Sequence, residues 1–196
     1  MISFEFEAVF LARHGQTEWN ALGRKQGRLD SPLTELGVEQ ARGNAKRLDG
    51  EGVDAIFSSP IGRARASADL IAEELGLPVW ELDDLSEVDY GHWSGLTGSE
   101  IESRWPAEYA ARELDRYGYR VPGGESYADV DLRSGRALDS VAAAGKLRPL
   151  LVSHEMIGRM LLKHLCRLSS AEALQTRQPN DVVYRIGASR AVERLA

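Results

Sequence analysis

The chain has 196 residues, 43% of them hydrophobic and 28% charged, with a formal net charge of −6 and one cysteine. It is long enough for one substantial core and has no run of about 18 apolar residues, so no membrane-spanning helix and no membrane partner are expected. Met1–Glu7 has no basic residue and is unlike a secretory signal, Cys166 alone cannot close an internal disulfide, and no dense Lys/Arg block would track a polyanion, so the expected protein is cytoplasmic and binds no nucleic acid.

Ala8-Val9-Phe10-Leu11-Ala12 is an unbroken apolar run, as in a strand buried on both faces, and stops at Arg13-His14-Gly15. From Thr34 the spacing becomes helical. Leu36, Ala41, Ala45 and Leu48 share a face, Thr34 can cap the N-terminus, and Gly50 and Gly52 end the helix. Ala55-Ile56-Phe57 reads as a second strand. Ser59-Pro60 reads as a helix cap followed by proline at the first helical position. Ala64, Ala68, Ile71 and Leu75 then form the apolar stripe of a helix closed by Gly76. A short strand is expected within Leu77–Leu82, a buried strand at Pro149–Ser153, and a helix from Met156 to Leu165. Val182–Ile186 reads as a late strand and Ala191–Leu195 as its edge partner.

Strands alternating with helices imply a three-layer α/β sandwich, with a mainly parallel central sheet flanked by helices. Residues 1–196 are expected to form one domain. The stretch from about Leu85 to Tyr127 breaks the rhythm and holds half of the chain's aromatic residues, among them Tyr90, Trp93, Trp105 and Tyr109. It reads as an insertion over the carboxyl ends of the strands, either a satellite hydrophobic cluster or a substrate-facing lid.

In an open α/β sheet, ligands bind outside the carboxyl ends of the strands. Arg13 and His14 follow the first strand, Ser58-Ser59-Pro60 with Arg63 follows the second, and His154 follows Pro149–Ser153. Two of the four histidines and two arginines therefore stand at equivalent positions. Guanidinium groups match phosphate oxygens in bidentate pairs, and a neutral imidazole can attack phosphorus near pH 7. A second imidazole can donate a hydrogen bond to a nonbridging oxygen, and the leaving alkoxide needs a separate acid.

Leu11-Ala12-Arg13-His14-Gly15-Gln16-Thr17-Glu18-Trp19-Asn20 resembles the signature of the histidine phosphatase superfamily, in its phosphoglycerate mutase-like branch. Ser58-Ser59-Pro60-Ile61-Gly62-Arg63-Ala64 resembles its second arginine motif. Leu85-Ser86-Glu87 through Gly91-His92-Trp93-Ser94-Gly95 resembles its proton-donor motif. Pro122–Ser126 and Leu151-Val152-Ser153-His154 resemble its later turn and its second-histidine strand. The resemblance implies that His14 is the phosphorylated nucleophile and that Arg13, Arg63 and His154 bind the transferring phosphoryl group. Asn20 and Gln26 occupy positions that in the family hydrogen-bond the phosphate or the group beside it, and Glu87 is implied as general acid and then base. The aromatic, partly apolar surroundings of Glu87 and a nearby phosphate anion favour the protonated carboxyl that an acid needs.

One departure stands out: the second histidine is followed by Glu155, where this branch usually has glycine. Glu155 is a rival or helper for Glu87, unless it begins the helix with its side chain turned away. His92 either lines the substrate pocket or lies exposed on a loop, His164 and Cys166 read as structural, and Trp19 as packing under the phosphate loop. No His/Cys/carboxylate cluster has metal-ligand spacing, and Gly123-Gly124 lacks the lysine of a P-loop; no metal or other cofactor is expected.

The reading is a phosphatase acting on a small phosphorylated metabolite through phosphohistidine on His14. The runner-up is a bisphosphate-dependent phosphoglycerate mutase. Mutases resembling this family are longer and carry a basic C-terminal tail, which Ala188–Ala196 does not resemble. A non-catalytic phospho-ligand module would have no need of both His14 and Glu87, and the aromatic insertion argues against a protein phosphatase. A homodimer, common in the family, is a further expectation.

Overall fold

A computed structural model describes residues 6–195. Most of the N-terminal stretch judged unlike a secretory signal lies outside them. Strands β1 (Ala8–Arg13), β2 (Ala55–Ser58), β3 (Val79–Glu81), β4 (Pro149–Ser153), β5 (Val183–Gly187) and β6 (Val192–Leu195) form one sheet, in the order β3-β2-β4-β1-β5-β6. The pairs from β3 to β1 are parallel, and β5 and β6 are added antiparallel. This is the mainly parallel α/β sandwich expected from the sequence.

Successive side chains of β1 point to opposite faces, and both faces are covered. Ala8, Phe10 and Ala12 meet Ala45 and Leu48 of α2 (Glu35–Leu48) and Ala68 and Ile71 of α3 (Gly62–Leu75). Val9 and Leu11 face Leu138 and Val141 of α6 (Tyr127–Ala143) and Ile157, Met160 and Leu161 of α7 (Glu155–Cys166). That double burial explains why β1 and β4 read as continuous apolar runs. Thr34 caps α2 by accepting the Gly37 N–H, as expected, and Gly76 ends α3 in the left-handed region at φ +67°. Leu36, placed on the apolar face of α2 by its spacing, is instead exposed, and it is the neighbouring Gly37 that the first turn of α2 packs against the loop after β1.

Helices α1 (Glu18–Ala21), α4 (Gly98–Arg104), α5 (Pro106–Leu114) and α8 (Ser170–Gln175) are short. The aromatic stretch between β3 and α6 contains α4 and α5. Tyr90, Trp93 and Tyr127 belong to the core beside α6 and α7, and Trp93 stacks on Tyr119 with ring centroids 6.2 Å apart. Among the described residues no helix is long and apolar enough to cross a membrane.

Candidate active site

The strand order places β4 between β2 and β1, which brings the carboxyl ends of all three together. Arg13 stands opposite Ser153 in the parallel register, and the His14 N–H donates to the Ser153 carbonyl at 3.0 Å. The His14 and His154 rings consequently meet, with centroids 5.1 Å apart. Arg63, in the first turn of α3, reaches the same place. Its Nε donates to His14 Nε2 at 3.2 Å.

The hydrogen bonds of His14 identify its tautomer. Nδ1 lies 2.7 Å from the Gly15 carbonyl, which can only accept, so Nδ1 carries the proton. Nε2 accepts from Arg63 and therefore presents its lone pair. Burial, and then the positive charges of Arg13 and Arg63, hold the His14 imidazole well below the usual histidine range. The ring is thus neutral at pH 7, with a nucleophilic nitrogen facing two cations.

His154 is likewise held well below the usual range, by burial first and then by Arg63. Its Nε2 lies 2.9 Å from the Ser59 hydroxyl, and its buried Nδ1 has no partner. Ser59 Oγ also accepts the Ile61 N–H. Ser59 does not cap α3 as its Ser-Pro sequence suggests. The helix begins at Gly62 with Ile61 as its N-cap, and the hydroxyl turns to the second histidine instead.

Arg13, His14, Asn20, Gln26, Arg63 and Glu87 line one cavity of about 190 Å³, together with Glu155 and Lys25. His154 is fully buried against the His14 ring and does not line it. Arg63 is anchored by the carbonyls of Gly27 and Leu29 and by Asp30, at 2.7 to 3.2 Å. Asn20 closes a capping box on Thr17, accepting its N–H through Oδ1. Gln26 is held at both ends of its amide, donating to Thr17 Oγ1 at 2.8 Å and accepting from Ser31 at 2.9 Å. Both residues therefore shape the loop after β1 as well as the cavity wall.

Glu87 is buried in a polar setting, where the sequence suggested an aromatic one. Its Oε1 accepts the N–H groups of Val88 and Ile157, and Oε2 accepts that of Met156. Two of these amides belong to the first turn of α7, which otherwise lacks acceptors there. Glu155 begins α7, as one reading held, but its side chain is not turned away. It bridges Arg13 at 3.0 Å and Arg159 at 2.8 Å. His92 is exposed and does not line the cavity, His164 pairs with Asp131, and the Trp19 ring packs beside Gly95.

Residues 9–195 match the histidine phosphatase superfamily (branch 1). The chain belongs to this superfamily. Its curated relatives include the probable phosphoglycerate mutase GpmB of Yersinia pestis, 38% identical over 183 residues, which are 91% of this chain and 83% of that protein. Among solved structures, a mycobacterial glucosyl-3-phosphoglycerate phosphatase superposes with a TM-score of 0.82 at 30% identity, covering 96% of each chain. The alpha-ribazole phosphatase of Shigella flexneri superposes with a TM-score of 0.86 over 94% of this chain and 93% of that one; at 24% identity it speaks for the fold alone. The histidine phosphatase fold accounts for the two histidines and two arginines at the strand ends. Ser59, Asp30 and Lys25 do not stand out in the sequence as site residues, because their importance depends on which side chains the strand order brings beside them.

Proposed function

We propose that the protein hydrolyses a small-molecule phosphomonoester through a phosphohistidine on His14. The observation that carries this reading is the neutral His14 ring, with its Nε2 lone pair facing a cavity lined by Arg13 and Arg63. In the first step Nε2 attacks phosphorus, the bond from phosphorus to the ester oxygen breaks, and Glu87 protonates the leaving alkoxide. In the second, Glu87 takes a proton from water, the water oxygen attacks phosphorus, and the bond to Nε2 breaks to release inorganic phosphate. Glu87 Oε2 is the oxygen suited to carry that proton, since it accepts one amide where Oε1 accepts two. Arg13 and Arg63 supply charge and hydrogen bonds to the phosphoryl oxygens, and the buried His154 ring backs the His14 imidazole. The lone cysteine supports a reducing, cytoplasmic setting for this chemistry.

The name of the Yersinia relatives favours a second reading, phosphoryl transfer between two hydroxyls of a phosphoglycerate. Rapid mixing with a labelled ester, quenched without acid, is expected to trap acid-labile phosphate on His14, and His14→Ala is expected to abolish turnover of an aryl phosphate. Label on a serine or carboxylate, or a His14→Ala variant within tenfold of wild type, would overturn the nucleophile. Bisphosphate-dependent isomerisation of phosphoglycerate that outpaces hydrolysis would replace the hydrolase reading with the mutase.

A further inference from the structure

The hydrolytic steps employ His14, Arg13, Arg63 and Glu87 and make no use of Glu155, although its carboxylate lines the same cavity. Glu155 follows His154 directly and opens α7, so its backbone is fixed beside the second histidine. Its Oε2 lies 3.0 Å from Arg13 Nη1, on a guanidinium that the phosphoryl group also needs. That nitrogen already donates to the Gln178 carbonyl at 3.3 Å. A phosphoryl group entering beside His14 therefore meets an Arg13 whose charge a carboxylate shares.

The carboxylate cannot simply swing away. Its Oε1 lies 2.8 Å from Arg159 Nη2. Arg159 is itself fixed, donating to the Thr176 carbonyl at 2.9 Å and to the Tyr127 hydroxyl at 2.7 Å. Lys25, Tyr90, Glu155 and Met156 also line a second cavity of about 270 Å³, whose other walls include Arg112, Arg116 and Arg159. Glu155 thus stands on the wall between the His14 cavity and a cationic neighbour, with cations on both sides to keep it in place.

A phosphoryl dianion and a carboxylate that share one guanidinium repel each other, and Arg13 and Glu155 are both half-buried, where water screens them less than at an open surface. The repulsion falls on bound ester and bound inorganic phosphate alike, because both present a dianion to Arg13. For the product, a weaker hold means an easier departure.

We propose that Glu155 is an internal competitor for Arg13: a positioning residue that acts through that guanidinium to weaken the site's hold on inorganic phosphate and so to favour product release. The inference rests on the phosphoryl reading of the His14 site and gives Glu155 a role in it other than proton transfer.

The test is calorimetry of inorganic phosphate binding to the wild-type protein and to Glu155→Gln, which keeps the shape of the side chain and removes its charge. Glu155→Gly, the residue usual in this branch, decides in its place should the glutamine variant not fold. The phosphate Kd is expected to fall about tenfold or more, the ordinary weight of one like charge beside an ionised group. The inhibition constant of phosphate against p-nitrophenyl phosphate, and KM for that ester, are expected to fall in step. A Glu155 that merely holds Arg13 in place predicts the opposite sign, because a loosened guanidinium binds phosphate less well. A Kd that rises, or falls less than threefold, would overturn the inference and leave the hydrolase reading untouched. A wild-type protein that binds phosphate but turns over no p-nitrophenyl phosphate would strike the hydrolase reading alone, and the Kd comparison would still decide the role of Glu155. Phosphate binding by none of the three proteins would overturn both.

Discussion

The Glu87 carboxylate accepts three backbone N–H groups, two of them from the open end of α7. It therefore ties the segment after β3 to the helix that follows His154, while facing the cavity that His14 lines. Glu155, one residue into α7, spends its charge on Arg13 and Arg159. That division separates the two candidate acids. Glu87→Gln is expected to slow hydrolysis of an alkyl phosphate by about 100-fold or more, the ordinary worth of a general acid, and to slow p-nitrophenyl phosphate less than tenfold, since nitrophenolate leaves unprotonated. Steady-state kinetics on both esters, run beside Glu155→Gln, check this. Equal slowing on the two esters would leave Glu87 only its anchoring role, and a leaving-group-dependent loss in Glu155→Gln would transfer the proton to that residue.

Close approach of β1's trailing loop to α2 holds the nucleophile still. A Cβ on Gly15 would lie 2.0 Å from the Gly37 carbonyl oxygen, and one on Gly37 would lie 2.0 Å from that of Gln16. Both obstacles are backbone, so neither side can yield cheaply. The Gly15 N–H also donates to Ser67 of α3 at 3.0 Å, and Asn180 donates to the His14 carbonyl at 2.6 Å. Three separate elements thus grip the backbone on either side of the imidazole. Gly37→Ala, although helical and remote from the phosphoryl group, is expected to cost about 3 kcal/mol of stability by overpacking and to lower kcat by displacing His14. Urea unfolding and steady-state kinetics measure the two effects, and a variant with wild-type values of both would show that the loop can part from α2.

A molecule of net charge −6 gathers Arg13, Lys25, Arg63, Arg112, Arg116 and Arg159 around two adjoining cavities. A small anion therefore meets a local field opposite in sign to the whole, whereas a long polyanion meets the acidic remainder. Burial first, and the nearby arginines second, leave two buried histidines neutral, with a consequence for stability. His14 and His154 titrate well below 6.5 when folded and near 6.5 when unfolded. As the pH falls below 6.5 the unfolded chain takes up protons that the folded one refuses, so stability present above 6.5 drains away, by up to about 1.4 kcal/mol per pH unit for each ring. Tm is expected to fall between pH 7.5 and 5.5, and to fall less steeply in His14→Ala. Parallel slopes for the two proteins, measured by thermal melting, would mean that the folded His14 takes up its proton as freely as the unfolded one.

Patterns among residues close together in the chain are legible in the sequence by itself. The unbroken apolar runs of β1 and β4 announce strands covered on both faces, because double burial forbids polar alternation, and the groups just after them announce a phosphoryl site, because strand carboxyl ends share one edge. Arg13, His14, Arg63 and His154 can be named from these local patterns, and Glu87 from the resemblance of Leu85-Ser86-Glu87 to the family's proton-donor motif. Pairings between distant residues cannot. Ser59 turns from its helix to His154, Glu87 reaches across to α7, and Glu155 reaches Arg13, each because the strand order β3-β2-β4-β1 sets those loops side by side. The cationic second cavity follows the same rule. Lys25, Arg112, Arg116 and Arg159 are scattered along the chain. Local spacing governs which face a side chain takes, but the sum of their charges acts through space, and only the packed chain brings them within range of one another.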